Sequence, residues 1–393
     1  MINIAIICEY NPMHNGHLHQ IKKIKQKFPT SNIIALMSTS FVQRGEPSII
    51  NKFDKAKLAI NCGVDLVFEI PAIVSLQSAD YFSYYTTFLL NELGLIDYIS
   101  FGIEDDTETF YKLLDFKIKN ESKIFELQGK YIKQGYSYKN AYLEAINEID
   151  KNVPHSIISP NNTLALNYAL TLNKLNSKIK ILPIQRKDGG YNSEKLDKYK
   201  FQSATTIRNL IKENYDVSNY VPAELIEILK NTNLHNIDEY SNIFYYKAFI
   251  EKNTGESIAG YEPGMLNLLK KNYSGKIFDM IEKSHNKRYS KSRLKRFIIN
   301  YLLEIEIVDI KNLDKINYLR PIGFNDKGRN IINKLNKLKK LNDVKVLNKL
   351  VEYVKLDDIN RRFAEIDIKS YELQNLNNTK ILNKNFKNRI YIK

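Results

Sequence analysis

Short apolar runs alternate with longer stretches of helical spacing through the first half of the chain. Asn3–Cys8, Asn32–Ser38, Asp65–Ile70, Tyr98–Gly102 and Lys178–Ile184 are compact and rich in aliphatic residues, as buried parallel strands are. Between them, apolar residues recur three and four apart over His17–Phe28, Lys52–Asn61, Asp80–Leu93, Glu108–Phe116 and Asn161–Asn173. Strand–helix alternation predicts an α/β fold, a doubly wound parallel sheet with right-handed crossovers. Past residue 215 strand signals fade. Helical patterns then cover Ala223–Lys230, Ile243–Glu251, Gly264–Lys271, Ile277–Ser284, Ser290–Ile305, Gly328–Lys340 and Val344–Val354. The expected organisation is an α/β unit over residues 1–215, a mostly helical domain over 216–366, and a polar tail over 367–393, whose Ile-Tyr-Ile just before the last lysine reads as part of a loose tail or as a short added strand.

In a doubly wound sheet the ligand sits beyond the carboxyl ends of the strands. The first strand leads through Glu9-Tyr10-Asn11-Pro12-Met13 to His14-Asn15-Gly16-His17, where a helix opens. Free backbone N–H groups and the positive dipole end at such a start favour an anion. Gly16 permits close approach of a phosphate, and two imidazoles can donate to a triphosphate attacked at its α-phosphorus. The alternative is a pair of surface histidines in a turn. Neither G-x-G-x-x-G nor G-x-x-x-x-G-K-[ST] occurs, so a dinucleotide fingerprint and a P-loop are both excluded. Later strands end at Ser38 to Pro47, Phe101-Gly102-Ile103-Glu104 and Gln185-Arg186. Ser203-Ala204-Thr205-Thr206-Ile207-Arg208 suits phosphate contacts or, more plainly, a helix N-cap.

Composition adds a partner. Lys and Arg total 59 against 44 Asp and Glu, a net charge of +15, which favours a polyanion such as nucleic acid. The basic run is densest over Lys287–Phe297, where Leu294, Phe297, Ile298 and Leu302 make an apolar face and the cations are expected to point outward. Cys8 and Cys62, the two cysteines, form neither a disulfide framework nor a metal-site spacing. With no signal peptide and no long apolar run, a cytoplasmic location without membrane contact is expected.

The strings Cys8 to His17, Phe41-Val42-Gln43-Arg44-Gly45-Glu46-Pro47, Phe101-Gly102, Ser159-Pro160-Asn161-Asn162 and Ser203 to Arg208 together resemble the HIGH-motif nucleotidyltransferases. More closely, they resemble the tRNA(Met) cytidine acetate ligase family. Arg288 to Phe297 and Leu319 to Asn325 extend the likeness; Pro321 departs from the Arg-Val-Leu-Gly-Phe of that family. The resemblance implies an ATP-dependent ligase that activates acetate as acetyl-adenylate and acetylates the wobble cytidine of elongator tRNA(Met) to N4-acetylcytidine. It implies ATP against the first loop, which is Ile7, Cys8, Glu9, Tyr10, Asn11, Pro12, Met13, His14, Asn15, Gly16, His17, Leu18, His19 and Gln20, and magnesium with the ATP. Gly102, Asn161 and Arg186 join the nucleotide, with Asn162 able to exchange roles with Asn161. His14 and His17 are the catalytic pair, Thr206 and Arg208 assist at phosphate, and Arg288, Arg293, Lys295 and Arg296 contact tRNA. A small-molecule adenylyltransferase and a nonenzymatic RNA-binding protein on a decayed nucleotide-binding fold are the alternatives. No oligomeric state follows from the sequence.

Overall fold

The protein is described by a computed structural model over residues 1–186, 201–232, 234–338, 344–378, 384–387 and 390–393. Its strands are β1 (Asn3–Cys8), β2 (Asn32–Ser38), β3 (Leu66–Ile70), β4 (Tyr98–Ile103), β5 (Lys180–Gln185), β6 (Tyr318–Phe324), β7 (Lys345–Val346) and β8 (Tyr391–Ile392). They lie in the order β5-β4-β1-β2-β3-β6-β7, with β8 also on β6. The five N-terminal strands are mutually parallel, so the doubly wound sheet is as expected. Strand order runs outward in both directions from β1. The switch point therefore falls between β1 and β4, where a ligand crevice opens.

Period-2 alternation distributes the strand side chains to two cores. Ile4 and Ile6 of β1 and Ile33, Ala35 and Met37 of β2 face the helices Asn15–Lys27 and Lys52–Asn61. Ala5, Ile34 and Leu36 face the other way, in one buried cluster with Phe82, Leu166, Leu294, Phe297 and Phe363. The C-terminal helix Lys291–Leu303 thus shares its core with the sheet.

Three expectations are corrected. Tyr318–Phe324 is a buried strand, antiparallel to β3, not part of a helical unit. Pro321 and Arg320 obscure it in sequence; the ladder shifts register at Val67/Phe68, opposite Pro321, where the proline's missing N–H costs least. Val344–Val354 holds β7 and a 3-10 turn, Leu350–Lys355, instead of an α-helix. The segment from Asp367 is no loose tail: the helix Asp358–Gln374 runs into it, Asp367, Tyr371 and Gln374 are buried, and Tyr391–Ile392 is the short added strand that Ile-Tyr-Ile allowed. Residues 339 and 340 of the expected Gly328–Lys340 helix lie outside the described residues. Two further helical stretches exceed what periodicity indicated, Thr107–Lys133 and Tyr138–Ile149, packed as a hairpin.

Buried charge fastens this C-terminal chain to the sheet. Lys52 Nζ lies 2.8 Å from Glu69 Oε1, which also accepts from Thr39 Oγ1 at 2.8 Å. Arg320 reaches the same carboxylate at 3.7 Å and donates to Asn385 Oδ1 at 2.7 Å. Asp367 accepts from Ala72 N–H and the Tyr318 hydroxyl, each at 2.6 Å. Burial alone would raise the Glu69 carboxyl, but Lys52 and Arg320 outweigh it and hold it below its ordinary range. Glu69→Gln is therefore expected to strand two buried cations and to lower unfolding free energy by about 3–5 kcal/mol. Urea titration checks this; a loss under about 1 kcal/mol would mean Glu69 is not the charge that balances the cluster.

Candidate active site

The turn after β1 places its side chains by hydrogen bonds to distant loops. Asn11 Oδ1 accepts from Ile49 N–H at 2.9 Å, and Glu9 Oε1 accepts from Gln43 N–H at 2.8 Å. The Asn15–Lys27 helix then begins with His14 as N-cap. Gly16 N–H donates to His14 Nδ1, and His14 N–H donates to His17 Nδ1, both at 3.1 Å. The two rings stack 3.8 Å apart at 36°, with Tyr10 edge-on to His17 at 4.7 Å. A Cβ on Gly16 would fall 2.8 Å from His14 Cε1, so glycine is needed for the ring to lie over the helix start.

This reciprocal cap fixes the proton. Each Nδ1 accepts a hydrogen bond, so a neutral ring carries its hydrogen on Nε2. Burial, then the Arg186 guanidinium, pulls His14 down to about 3. Burial, His14 and Arg186 push His17 well below its ordinary 6.5. Both imidazoles are thus neutral Nε2–H donors at pH 7. The expected free amides are absent, which is a correction. Asn15 N–H bonds Tyr220 O at 2.9 Å, Gly16 N–H is taken by His14, and His17 N–H bonds His14 O at 2.9 Å. Anion-binding capacity here resides in the imidazoles and Arg186.

Beyond β4 and β5 the other expected residues converge. A Cβ on Gly102 would meet Arg186 Cγ at 3.1 Å, so this glycine lets the arginine stem cross the strand end. Arg186 Nη1 donates to Asn161 Oδ1 at 3.0 Å, and Asn161 Nδ2 donates to Glu104 Oε1 at 2.9 Å. Asn162 is fully buried and braces the loop, accepting from Glu104 N–H at 3.0 Å and donating to Asp105 Oδ2 at 2.6 Å. Asn161 is the member of the pair placed beside Arg186. Gln20 closes the floor, donating to Ser100 Oγ at 3.3 Å, and His19 packs on Phe201 at 5.9 Å. Cys8 is buried and its thiol pushed up to about 12 by that burial, so it is packing and no nucleophile.

Ser203 caps the Ala204–Lys212 helix, accepting from Thr206 N–H at 3.1 Å, and its Oγ lies 2.9 Å from Thr206 Oγ1. Arg208 donates to Asn11 O at 2.8 Å and to Glu46 Oε2 at 3.0 Å, bracing the first loop. Glu46, quoted in its motif but assigned no role from sequence, also pairs with Lys295. The basic segment is turned differently from expectation. Lys295 meets Glu46, and Arg296 Nη1 donates to Gln43 O at 3.3 Å; both face the loop, not solvent. Arg288 and Arg293 pair with Glu262. Only once the β2 loop is folded against Lys291–Leu303 does this inward turn become visible. No group of three potential metal ligands occurs among the described residues. Nor is any described helix long and apolar enough to cross a membrane.

The family model described as HIGH Nucleotidyl Transferase matches residues 1–389. A tRNA(Met) cytidine acetate ligase of Clostridium novyi (strain NT) is 34% identical over 99% of this chain and 99% of its own. One from Caldanaerobacter subterraneus subsp. tengcongensis is 32% identical over 92% of each chain. Among solved structures, Thermotoga maritima TmcAL bound with alpha-thio ATP has a TM-score of 0.85 at 24% identity, covering 100% of this chain and 99% of that one. Its apo form superposes with a TM-score of 0.89 at 23% identity. These structures share the fold.

The depressed histidines have a consequence for stability. The unfolded chain takes up protons on both rings near 6.5, whereas the folded His14 does so only near 3. The unfolded state therefore binds more protons below pH 6.5, and stability should fall as pH drops from about 6.5 toward 3. Urea midpoints across that range should fall less steeply in His14→Gln/His17→Gln than in the native sequence. Equal slopes would contradict the assignment.

Proposed function

This chain belongs to the tRNA(Met) cytidine acetate ligase family of HIGH nucleotidyltransferases, and on that premise we propose how its site works. It is an enzyme that uses ATP to activate acetate and then acetylates N4 of the wobble cytidine in elongator tRNA(Met). The observation that carries this reading is the meeting of two neutral Nε2–H imidazoles with one guanidinium, Arg186, at the switch point of the sheet.

Acetate is a poor electrophile and the cytosine amine a poor nucleophile, so a leaving group must be supplied first. One acetate oxygen attacks the α-phosphorus of ATP, the bond to the bridging oxygen breaks, and pyrophosphate departs with that electron pair. Charge grows on the departing phosphates, where His14 and His17 donate from Nε2 and Arg186 supplies a full positive charge. Because both rings are neutral and capped, they stabilise without giving up a proton and without reorienting. Asn161, held between Arg186 and Glu104, offers its amide toward ribose or base, and Gly102 leaves room beside β4. Magnesium would accompany the ATP, bound through its phosphates as such ions usually are with one or two carboxylates beside them. In the second step the N4 amine attacks the acetyl carbonyl, AMP leaves with its electron pair, and N4 loses a proton. Of the basic run, the exposed Arg288 and the half-exposed Arg293 would contribute contacts to RNA backbone.

His14→Ala and His17→Ala are each expected to lower acetate-dependent ATP–pyrophosphate exchange by roughly two to three orders of magnitude, the scale of a lost charge-stabilising donor. Nucleosides from bulk tRNA incubated with protein, ATP and labelled acetate should then show labelled N4-acetylcytidine by mass spectrometry only with the native pair. Native exchange rates in both variants would remove the histidines from the chemistry. No acetate label in tRNA, together with transfer of AMP from ATP to a small-molecule phosphate, would favour a small-molecule adenylyltransferase.

A further inference from the structure

The hairpin following β2 is held at nearly every backbone position. Val42 N–H donates to Glu46 O at 2.9 Å, Gly45 N–H donates to Val42 O at 2.8 Å, and Phe41 pairs with Pro47. Gln43 is fixed on both sides, through its N–H to Glu9 and its Nε2 to Gln77 O at 2.9 Å. At the tip of this rigid turn stands Arg44, exposed, and among the described residues it makes no hydrogen bond or ion pair. Its two chain neighbours lie directly on the Lys291–Leu303 helix. Gln43 O accepts from Arg296 Nη1, and a Cβ on Gly45 (φ +75°) would fall 2.4 Å from Arg296 N.

The charges in this seam do not balance. Glu46, its surface carboxylate, is already shared by Lys295 and Arg208. Glu9, the other acid near Arg44, is half-buried, and its desolvation raises its carboxyl above the ordinary range. It is a poor counter-ion. Arg296 is half-buried, with burial and then Arg293 pulling its guanidinium down to about 10. Arg293 and Arg296 repel in this partly desolvated place, and an anion joining them would offset that repulsion. A seam that is preorganised and surplus in guanidinium, with Arg44 exposed at its tip, has the chemistry of a phosphate seat.

We propose that Arg44 and Arg296 together seat one backbone phosphate of the RNA substrate, in the seam between the β2 hairpin and the Lys291–Leu303 helix. The proposal rests on the reading of the chain as an RNA-acetylating ligase and names where that RNA touches next to the nucleotide loop. A nucleotide phosphate is the less suitable occupant, because the cation that bears on both histidines is Arg186. Arg44 instead bears on Glu9 and Glu46, at the hairpin.

The test is binding of bulk tRNA by the full chain across a salt series, for the native sequence, Arg44→Gln and Arg44→Lys, with KM for ATP and for acetate measured in parallel. Arg44→Gln should bind roughly tenfold more weakly, the scale of a lost charge-assisted hydrogen bond. Its log–log salt slope should shrink by about one, as for one released counterion. Arg44→Lys keeps the charge on an exposed side chain and should keep the slope. Unchanged affinity and slope in Arg44→Gln overturn the proposal. So does a raised KM for ATP or acetate with RNA affinity intact, which would put Arg44 in the nucleotide site. A native protein that does not bind tRNA at all would overturn the underlying reading instead.

Discussion

The rest of the site depends on one local arrangement, the reciprocal cap that His14 and His17 form at the start of the helix after β1. Each ring commits Nδ1 to a backbone N–H of that helix start. The cap thereby selects the tautomer, sets both ring planes and leaves Nε2–H as the chemical face. It also consumes the amides that would otherwise receive an anion, so binding shifts from backbone to side chains. Burial completes the effect by keeping both rings neutral beside Arg186. A neutral donor next to the Arg186 cation suits a reaction in which negative charge moves outward along a triphosphate.

Around this cap the structure spends buried polar contacts on holding loops. Glu9, Asn11 and Arg208 tie the first loop to the β2 hairpin, and Glu46 ties that hairpin to Lys295. One layer further out, Glu69 gathers Lys52 and Arg320, so β6 and the C-terminal residues beyond it are joined to the ends of β2 and β3. Elements far apart in sequence converge on the carboxyl ends of the sheet because that is where loops from different strands meet.

How far the sequence reaches follows from which interactions are local. The five parallel strands and the histidine pair were legible, since short β-branched runs and H-x-G-H directly after the first strand depend on neighbouring residues alone. β6 was hidden because its Arg320 and Pro321 look wrong for a central strand until Glu69 and the shifted register across from it are known. The inward turn of Lys295 and Arg296 was invisible for the same reason: their partners, Glu46 and Gln43, lie some 250 residues away. Adjacent Asn161 and Asn162 are alike in sequence, and burial alone separates them. The helix Thr107–Lys133 outran its periodicity because its second half is largely solvated and carries few buried residues.

The central claim, that both imidazoles are neutral with the proton on Nε2, is most directly tested by nitrogen NMR of the protein labelled with 15N-histidine. The six histidines can be assigned by single substitutions. Between pH 5 and 8, His14 and His17 should each show an unprotonated, acceptor-type Nδ1 and a protonated Nε2, with shifts that do not move. An imidazolium titrating near 6.5 at either residue, or a proton on Nδ1, would contradict it.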